Sequence, residues 1–364
     1  MQTPWEIKLR EELVEKGLIR SKRLNNLVIY TYTAKATGEN LWEKYPILLE
    51  SRGHIFDINT GECIAYPFPK FFNMNERQET QEGILPWEHG YKIYEKLDGW
   101  LGILYRHDNK FKVATRGSFE SPGAIWATKF LQENYDLSDL HKSITLVFEI
   151  ISPTTKIIVD YKNQEKLVLL TAFNRHTRKE LGPQPTAKQF GFPTIEDLSN
   201  KMSINQMFYH LDKVSGKTEE GYVIKFQNGL RVKIKAKDYL KRAYLLKKLT
   251  PLGIWGSMEN GMASKEMEAM FQNDYLKEFI SIARNLERQY RAVSGQIGVD
   301  YHKVLDGTDW SHPSRKDFAE SVQRTPIEHK KIMFALHDGN KKAVDKYIME
   351  QIRPKNNVME EGCE

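Results

Sequence analysis

Between Leu27 and Lys235 the sequence holds nine short runs rich in β-branched and aromatic residues, each bounded by Gly, Asn or Asp. They are Leu27–Thr33, Gly53–Ile58, Tyr91–Tyr94, Leu101–Arg106, Phe111–Thr115, Ile144–Ile151, Leu167–Phe173, Tyr222–Phe226 and Leu230–Lys235. Two neighbouring pairs are joined by short polar turns, Asp108-Asn109-Lys110 and Gln227-Asn228-Gly229-Leu230. Asn-Gly between apolar runs is the strongest short hairpin signal. Parallel strands would need crossovers of a dozen or more residues, so successive hairpins predict antiparallel sheets and an α+β fold.

From about Asp238 the period becomes helical. Asp238 is placed to cap a helix through Leu249, stopped by Pro251. Leu276, Phe279, Ile280, Ala283, Leu286 and Tyr290 follow i, i+3, i+4 spacing. Thr325-Pro326-Ile327-Glu328 reads as a capping box with Pro at the first helical position, and Gly339 stands where that helix should end. The expected organisation is an α+β domain over 1–243 and an all-α domain over 244–364.

Composition narrows the classes. The chain has 364 residues with 54 Lys+Arg against 48 Asp+Glu, a formal net charge of +6 that permits an acidic partner without demanding one. Apolar runs are short, Ile144–Ile151 being among the longest, so none approaches the roughly 20 residues of a membrane span. The opening Met-Gln-Thr-Pro-Trp-Glu lacks the apolar core of a signal peptide. Cys63 and Cys363 are the only cysteines, which excludes a disulfide scaffold and a CxxC zinc site and fits a reducing compartment. A cytoplasmic protein is expected.

Four places carry polar residues suited to chemistry. Lys96-Leu97-Asp98-Gly99 follows one strand and precedes another; a lysine there is a nucleophile if burial or neighbouring cations lower its pKa, and otherwise a solvated loop residue. In the hairpin, a two-residue Asn228-Gly229 turn makes opposite positions sum to 457. That places Glu220, Lys233 and Lys235 on one face and Val223, Lys225, Val232 and Ile234 on the other. A carboxylate near a row of cations suits a polyphosphate with a metal ion; a solvated charged face is the plainer alternative. Glu149 interrupts an apolar strand and needs a cation, a metal or a ligand donor if buried. Arg116-Gly117 ends a strand, where an arginine approaches a phosphate or makes a surface ion pair. Ser215-Gly216-Lys217-Thr218 resembles the end of a phosphate-binding loop, but Leu211 stands where its first glycine should be, and it reads as a loop.

In order, Lys96-x-Asp98-Gly99, Thr115-Arg116-Gly117, Phe148-Glu149, Glu220-Gly221-Tyr222-Val223-Ile224 and Val232-Lys233-Ile234-Lys235 resemble motifs I, Ia, III, IV and V of the covalent nucleotidyltransferases. Glu50-Ser51-Arg52-Gly53-His54-Ile55-Phe56, Pro69-Lys70-Phe71-Phe72-Asn73-Met74-Asn75-Glu76 and Val28-Ile29-Tyr30-Thr31-Tyr32 narrow the resemblance to the type 1 RNA ligase family, the phage tRNA-repairing RNA ligases, over roughly residues 27–240. The resemblance implies an antiparallel-sheet adenylyltransferase domain followed by a helical, RNA-recognising domain. It implies ATP and Mg²⁺ (or Mn²⁺) as cofactors, and as partner an RNA with 5′-phosphate and 3′-hydroxyl ends, such as a cleaved tRNA, joined by a monomeric, membrane-free enzyme.

Residue by residue, the resemblance makes Lys96 the nucleophile that becomes lysyl-AMP. Lys233 and Lys235 contact the α-phosphate region, and Arg52 and Lys70 the outer phosphates. Glu149 and Tyr30 hold the nucleoside, with Arg116 near the ribose. Asp98 supports the adenylylation step and Glu220 lies close to the metal. Trp100 departs from the motif, where a small or hydroxyl residue is common. Glu266 is a further candidate metal carboxylate. A DNA ligase or capping enzyme would carry an OB-fold after motif V, where this chain turns helical. An inactive RNA-binding protein need not keep all five motifs.

Overall fold

The computed structural model describes residues 4–247, 250–262, 277–307 and 314–354. The chain divides into two units, Met1–Lys241 and Arg242–Glu364. The first is α+β. Its strands are β1 (Ile19–Leu24), β2 (Leu27–Tyr32), β3 (Arg52–Asp57), β4 (Cys63–Ala65), β5 (Phe72–Asn73), β6 (Tyr91–Lys96), β7 (Trp100–His107), β8 (Lys110–Thr115), β9 (Ile144–Ile151), β10 (Lys166–Asn174), β11 (Gly221–Phe226) and β12 (Arg231–Lys235). They form three four-stranded sheets, ordered β1-β2-β3-β4, β10-β9-β7-β8 and β5-β12-β11-β6. The pairing is antiparallel except for β5 on β12, which is parallel, with Phe72 opposite Val232 and Asn73 opposite Lys233.

Burial explains why some strands read as unbroken apolar runs. In β2, Val28 and Tyr30 join a core with Leu13 of helix α1 (Pro4–Glu15), while Leu27 and Ile29 join another with Ile103 and Ala114. In β9, Leu146, Phe148 and Ile150 pack on Ala127 and Leu131 of helix α2 (Pro122–Asn134). Alternation turns Val147 and Glu149 to the opposite face. That geometry delivers a carboxylate from an otherwise apolar strand to the space between two sheets.

The hairpin register differs from the expected one. Gly221 pairs with Lys235, Val223 with Lys233 and Lys225 with Arg231, so opposite positions sum to 456. Phe226 N–H donates to Leu230 O (2.9 Å), which closes a three-residue loop, and Gly229 sits at φ +89°. A third loop residue in the left-handed region makes a bulged turn. The one-residue slip puts Val223 and Lys225 on the face of Lys233 and Lys235, the reverse of the expectation. Glu220 still reaches those lysines because Gly221, at φ +148°, breaks the alternation; a Cβ there would lie 2.1 Å from Ile234 O.

Helix α3 (Lys237–Lys247) follows β12 directly. Asp238 lies inside its first turn rather than at its cap, and its carboxylate accepts from Gly216 N–H at 2.8 Å. Leu249 lies outside the described residues, as do Leu276 and Glu266. Pro251 starts the next helix, α4 (Pro251–Glu259), with Thr250 as its cap. The second unit continues with α5 (Lys277–Asp306), α6 (Arg315–Arg324) and α7 (Lys341–Gln351) around a core that includes Ile297, Val304, Phe318, Met333 and Ile348. No helix starts at Pro326. Thr325 ends α6, and the buried Asp300 takes the N–H groups of Glu328 and His329 (3.2 and 3.1 Å). The capping box belongs to Ser314 and Asp317 instead. Gly339, at φ +69°, does follow a helix end, that of Met333–His337. Among the described residues no helix is long and apolar enough to cross a membrane.

Candidate active site

The registers of β6, β11 and β12 set out one polar floor. Lys96 is opposite Gly221, which is opposite Lys235; Tyr94, Val223 and Lys233 form the next row, and Lys92, Lys225 and Arg231 the third. Directly opposed residues share a face, and successive rows are about 7 Å apart. Facing this floor is Glu149 of β9. Between them lies a cavity of about 540 Å³, a size that holds a mononucleotide. Of the expected site residues, Arg52, Lys70, Lys96, Arg116, Glu149, Lys233 and Lys235 all line it.

Lys96 ends β6, and its ammonium donates to Glu220 Oε2 at 2.6 Å. Glu220 Oε1 lies 2.7 Å from Lys235 Nζ, so one carboxylate, 3% exposed, bridges both lysines. It stands behind the lysines rather than in the cavity wall. Asp98 is likewise a support. Its carboxylate accepts from Ile158 N–H and Val159 N–H (2.8 Å each) and from the Tyr239 hydroxyl (2.7 Å). Burial, then the nearby Glu220 charge, pushes its pKa up. Asp98 thereby ties the turn after Lys96 to the loop after β9 and to α3. Gly99 follows because a Cβ there would lie 2.4 Å from Ile150 O.

Glu149 accepts from Gly99 N–H at 2.9 Å. Burial pushes its carboxyl up to about 7, and Lys96 opposes that shift. Lys233 is the mirror case. Burial and the charges of Lys70, Lys96, Lys235 and Arg52 bring its ammonium down to about 7. Arg52 has a buried Nη1 with no hydrogen-bond partner, and Arg116 lies 5.5 Å over the Tyr32 ring. Crowded cations and an orphaned guanidinium nitrogen mark a place short of negative charge.

One expected site residue lies elsewhere. Tyr30 does not reach the cavity: it is fully buried, and its hydroxyl donates to Glu11 of α1 at 2.5 Å. The tyrosine of β2 that lines the cavity is Tyr32, where the strand leaves the core. Trp100 is not in the cavity wall either. It packs against Gly123 of α2, where a Cβ would come within 2.8 Å of its ring. Residues not anticipated are Lys92, Tyr94, Glu180, Lys225 and Arg231. Glu180 holds Lys225 at 2.7 Å and Arg231 at 2.5 Å. The period-2 alternation Lys92-Tyr94-Lys96 was the signal for the first two, and the correct hairpin register would have found the last two.

A half-buried lysine in a cation-rich, nucleotide-sized cavity on a mixed antiparallel fold defines a nucleotide-handling class of protein. Residues 50–240 match the RNA ligase family, and the chain belongs to it. Its relatives include a candidate RNA ligase of Thermovibrio ammonificans, 29% identical over 153 residues, covering 41% of this chain and 39% of that protein. An RNA ligase of Rhodothermus phage RM378 is 23% identical over 218 residues, covering 48% of each. The chain thus matches less than half the length of either relative. Among solved structures, an archaeal ATP-dependent RNA ligase superposes with a TM-score of 0.45 at 14% identity, covering 69% of each chain. A Naegleria gruberi RNA ligase with PPi gives 0.38 at 18% identity, covering 62% of this chain and 76% of that one.

Proposed function

We propose that this chain is an ATP-dependent RNA ligase acting through Lys96. The observation that carries the reading is the position of Lys96. It lies in one cavity with Arg52, Lys70 and Lys233, cations for which the described residues supply no paired carboxylate, and with a buried Glu149. Lys96 Nζ attacks the ATP α-phosphorus and loses a proton; the N–P bond forms and the bond to pyrophosphate breaks. A 5′-phosphate oxygen of RNA then displaces the lysine, giving RNA-adenylate. A 3′-hydroxyl attacks the 5′-phosphorus, forms the 3′–5′ phosphodiester and releases AMP.

The residues suit these steps. Lys96 must shed its Glu220 contact and a proton before attack. As pyrophosphate leaves, Lys233, Lys235, Arg52 and Lys70 meet the developing charge without reorganising. Glu149 accepts from a ribose hydroxyl, with Arg116 nearby. Among the described residues no cluster of three acidic or histidine side chains could hold a metal alone. Both oxygens of Glu220, the expected metal carboxylate, are held by Lys96 and Lys235, so an Mg²⁺ or Mn²⁺ here would be bound chiefly through phosphate oxygens and water. Such an ion would supply charge neutralisation on the triphosphate. Residues 1–243 would carry the adenylylation and 244–364 the RNA recognition, on a cleaved tRNA or similar strand, in the cytoplasm and as a monomer.

The test is incubation with α-labelled ATP and Mg²⁺, then denaturing electrophoresis. Label should remain on the protein, vanish in Lys96→Ala, and move to 5′-phosphate RNA in preference to matched DNA. Label that persists on Lys96→Ala sinks the mechanism.

A further inference from the structure

The cations around the cavity divide by what holds them. Lys96 and Lys235 share Glu220, Lys225 and Arg231 share Glu180, and Lys92 pairs with Asp197. Lys70 has no such partner among the described residues. Its ammonium lies 4.5 Å from the centroid of Phe72, 5.0 Å from Trp42 and 5.6 Å from Tyr32. Those rings lock one another edge to face, Tyr32 on Trp42 at 5.1 Å and Trp42 on Phe72 at 5.8 Å. Trp42 is the central member and is 4% exposed.

A carboxylate would hold a lysine but cancel its charge. An aromatic face holds an ammonium through the ring quadrupole and leaves the charge unneutralised, and Trp is the strongest such ring. An arriving anion then need not displace a resident one. We infer that Trp42 is a positioning residue for nucleotide binding. It centres an aromatic box that aims Lys70, with no carboxylate against it among the described residues, at the outer phosphates. This rests on the assignment of Lys70 to those phosphates in the proposed function. Trp42 touches no reacting atom, so its loss should weaken nucleotide binding and leave the chemical step alone.

The experiment follows the rate of label transfer from α-labelled ATP to full-length protein as ATP is varied, for Trp42→Leu, Trp42→Phe, Lys70→Met and the Trp42→Leu/Lys70→Met double variant. Trp42→Leu should raise half-saturating ATP about five- to tenfold, within reach of one partly desolvated cation–π contact, with the maximal rate within about twofold. Trp42→Phe should restore most of the loss. In the Lys70→Met background, Trp42→Leu should add nothing further. Trp42→Leu can fail to fold, so protein grown with fluorinated tryptophan, its ring quadrupole weakened at nearly constant shape, is the second probe. It should raise half-saturating ATP with Lys70 present and not in Lys70→Met. An unchanged value in the fluorinated protein, or an equal penalty with and without Lys70, overturns the role of Trp42. An unaltered ATP dependence in Lys70→Met overturns the assignment of Lys70 itself, and the inference with it.

Discussion

Nucleotide binding should take up close to one proton at pH 8, and Lys233 should be the group that takes it. In the free protein, burial and four neighbouring cations bring Lys233 down to about 7. At pH 8 it is then about one-tenth protonated. A triphosphate beside it reverses the balance of charge and returns it to the protonated form, so binding draws in about 0.9 proton. Between pH 7 and pH 9 affinity should fall by up to about 50-fold, roughly 2.3 kcal/mol at 1.36 kcal/mol per tenfold, because Lys233 is already half protonated at pH 7. The assay is calorimetric titration with α,β-methylene ATP, which cannot adenylylate Lys96, at pH 8 in two buffers of different ionisation enthalpy. The difference in apparent enthalpy counts protons directly. Lys233→Met should bind more weakly at pH 7 and take up almost none. Glu149, also near 7, is mostly ionised at pH 8 and stays so while accepting from a ribose hydroxyl, so it contributes little. Uptake below about 0.2 proton, or uptake that survives in Lys233→Met, would refute the reasoning. In the unliganded protein the same depression makes stability rise with pH between about 7 and 10.5, because there the unfolded chain holds the proton and the folded one does not.

Glu149→Gln should flatten the pH dependence of stability in the opposite sense. A carboxyl raised from 4.5 to about 7 stabilises the fold below 4.5 and loses that contribution as pH rises through 7. Urea unfolding should show the variant gaining about 2–3 kcal/mol on the wild type between pH 4.5 and pH 8. Gly99→Ala drives a Cβ to 2.4 Å from Ile150 O and should cost more than about 2 kcal/mol while abolishing adenylylation; a normal melting temperature would contradict the packing. Tyr30→Phe strands Glu11 and should cost about 1 kcal/mol with no change in half-saturating ATP, whereas Tyr32→Leu should raise it. The reverse order would restore Tyr30 to the site.

Most of the strands were legible because each buries at least one face with β-branched residues. The site was legible where a residue type conflicts with its surroundings, as Glu149 does inside β9. What escaped has specific causes. Asn228-Gly229 announced a hairpin, but residue identity does not distinguish a two-residue turn from a three-residue loop with Gly229 in the left-handed region. That single residue moved Val223 and Lys225 of β11 onto the face of Lys233 and Lys235. Tyr30 and Tyr32 alternate on the same strand, and only the presence of α1 above Tyr30 decides which one is covered. The pairing of β5 with β12 joins residues about 160 apart in sequence, and no local pattern encodes it.

Charge is the property that the fold redistributes most. Residues 231–248 carry eight Lys+Arg and one Asp, which makes this stretch the natural origin of any salt-dependent grip on RNA. The structure withdraws part of that charge. Arg231 is committed to Glu180 at 2.5 Å, and Lys235 to the buried Glu220 at 2.7 Å. Lys237 pairs with Asp212 at 3.0 Å, but both side chains are more than half exposed, so the pair is worth little and yields readily to a phosphate. Lys241 is exposed on the next turn of α3. Each single-stranded phosphate contact contributes about 0.7 to the slope of log affinity against log salt. Lys237→Ala with Lys241→Ala should therefore lower that slope by about 1.4 for an unadenylylated RNA. Arg231→Ala should leave the slope unchanged and instead raise half-saturating ATP, because it leaves Lys225 as the one cation against Glu180 inside the cavity among the described residues. A slope that falls with Arg231→Ala and not with the α3 pair would place the RNA across the cavity floor rather than along the helix that leaves it.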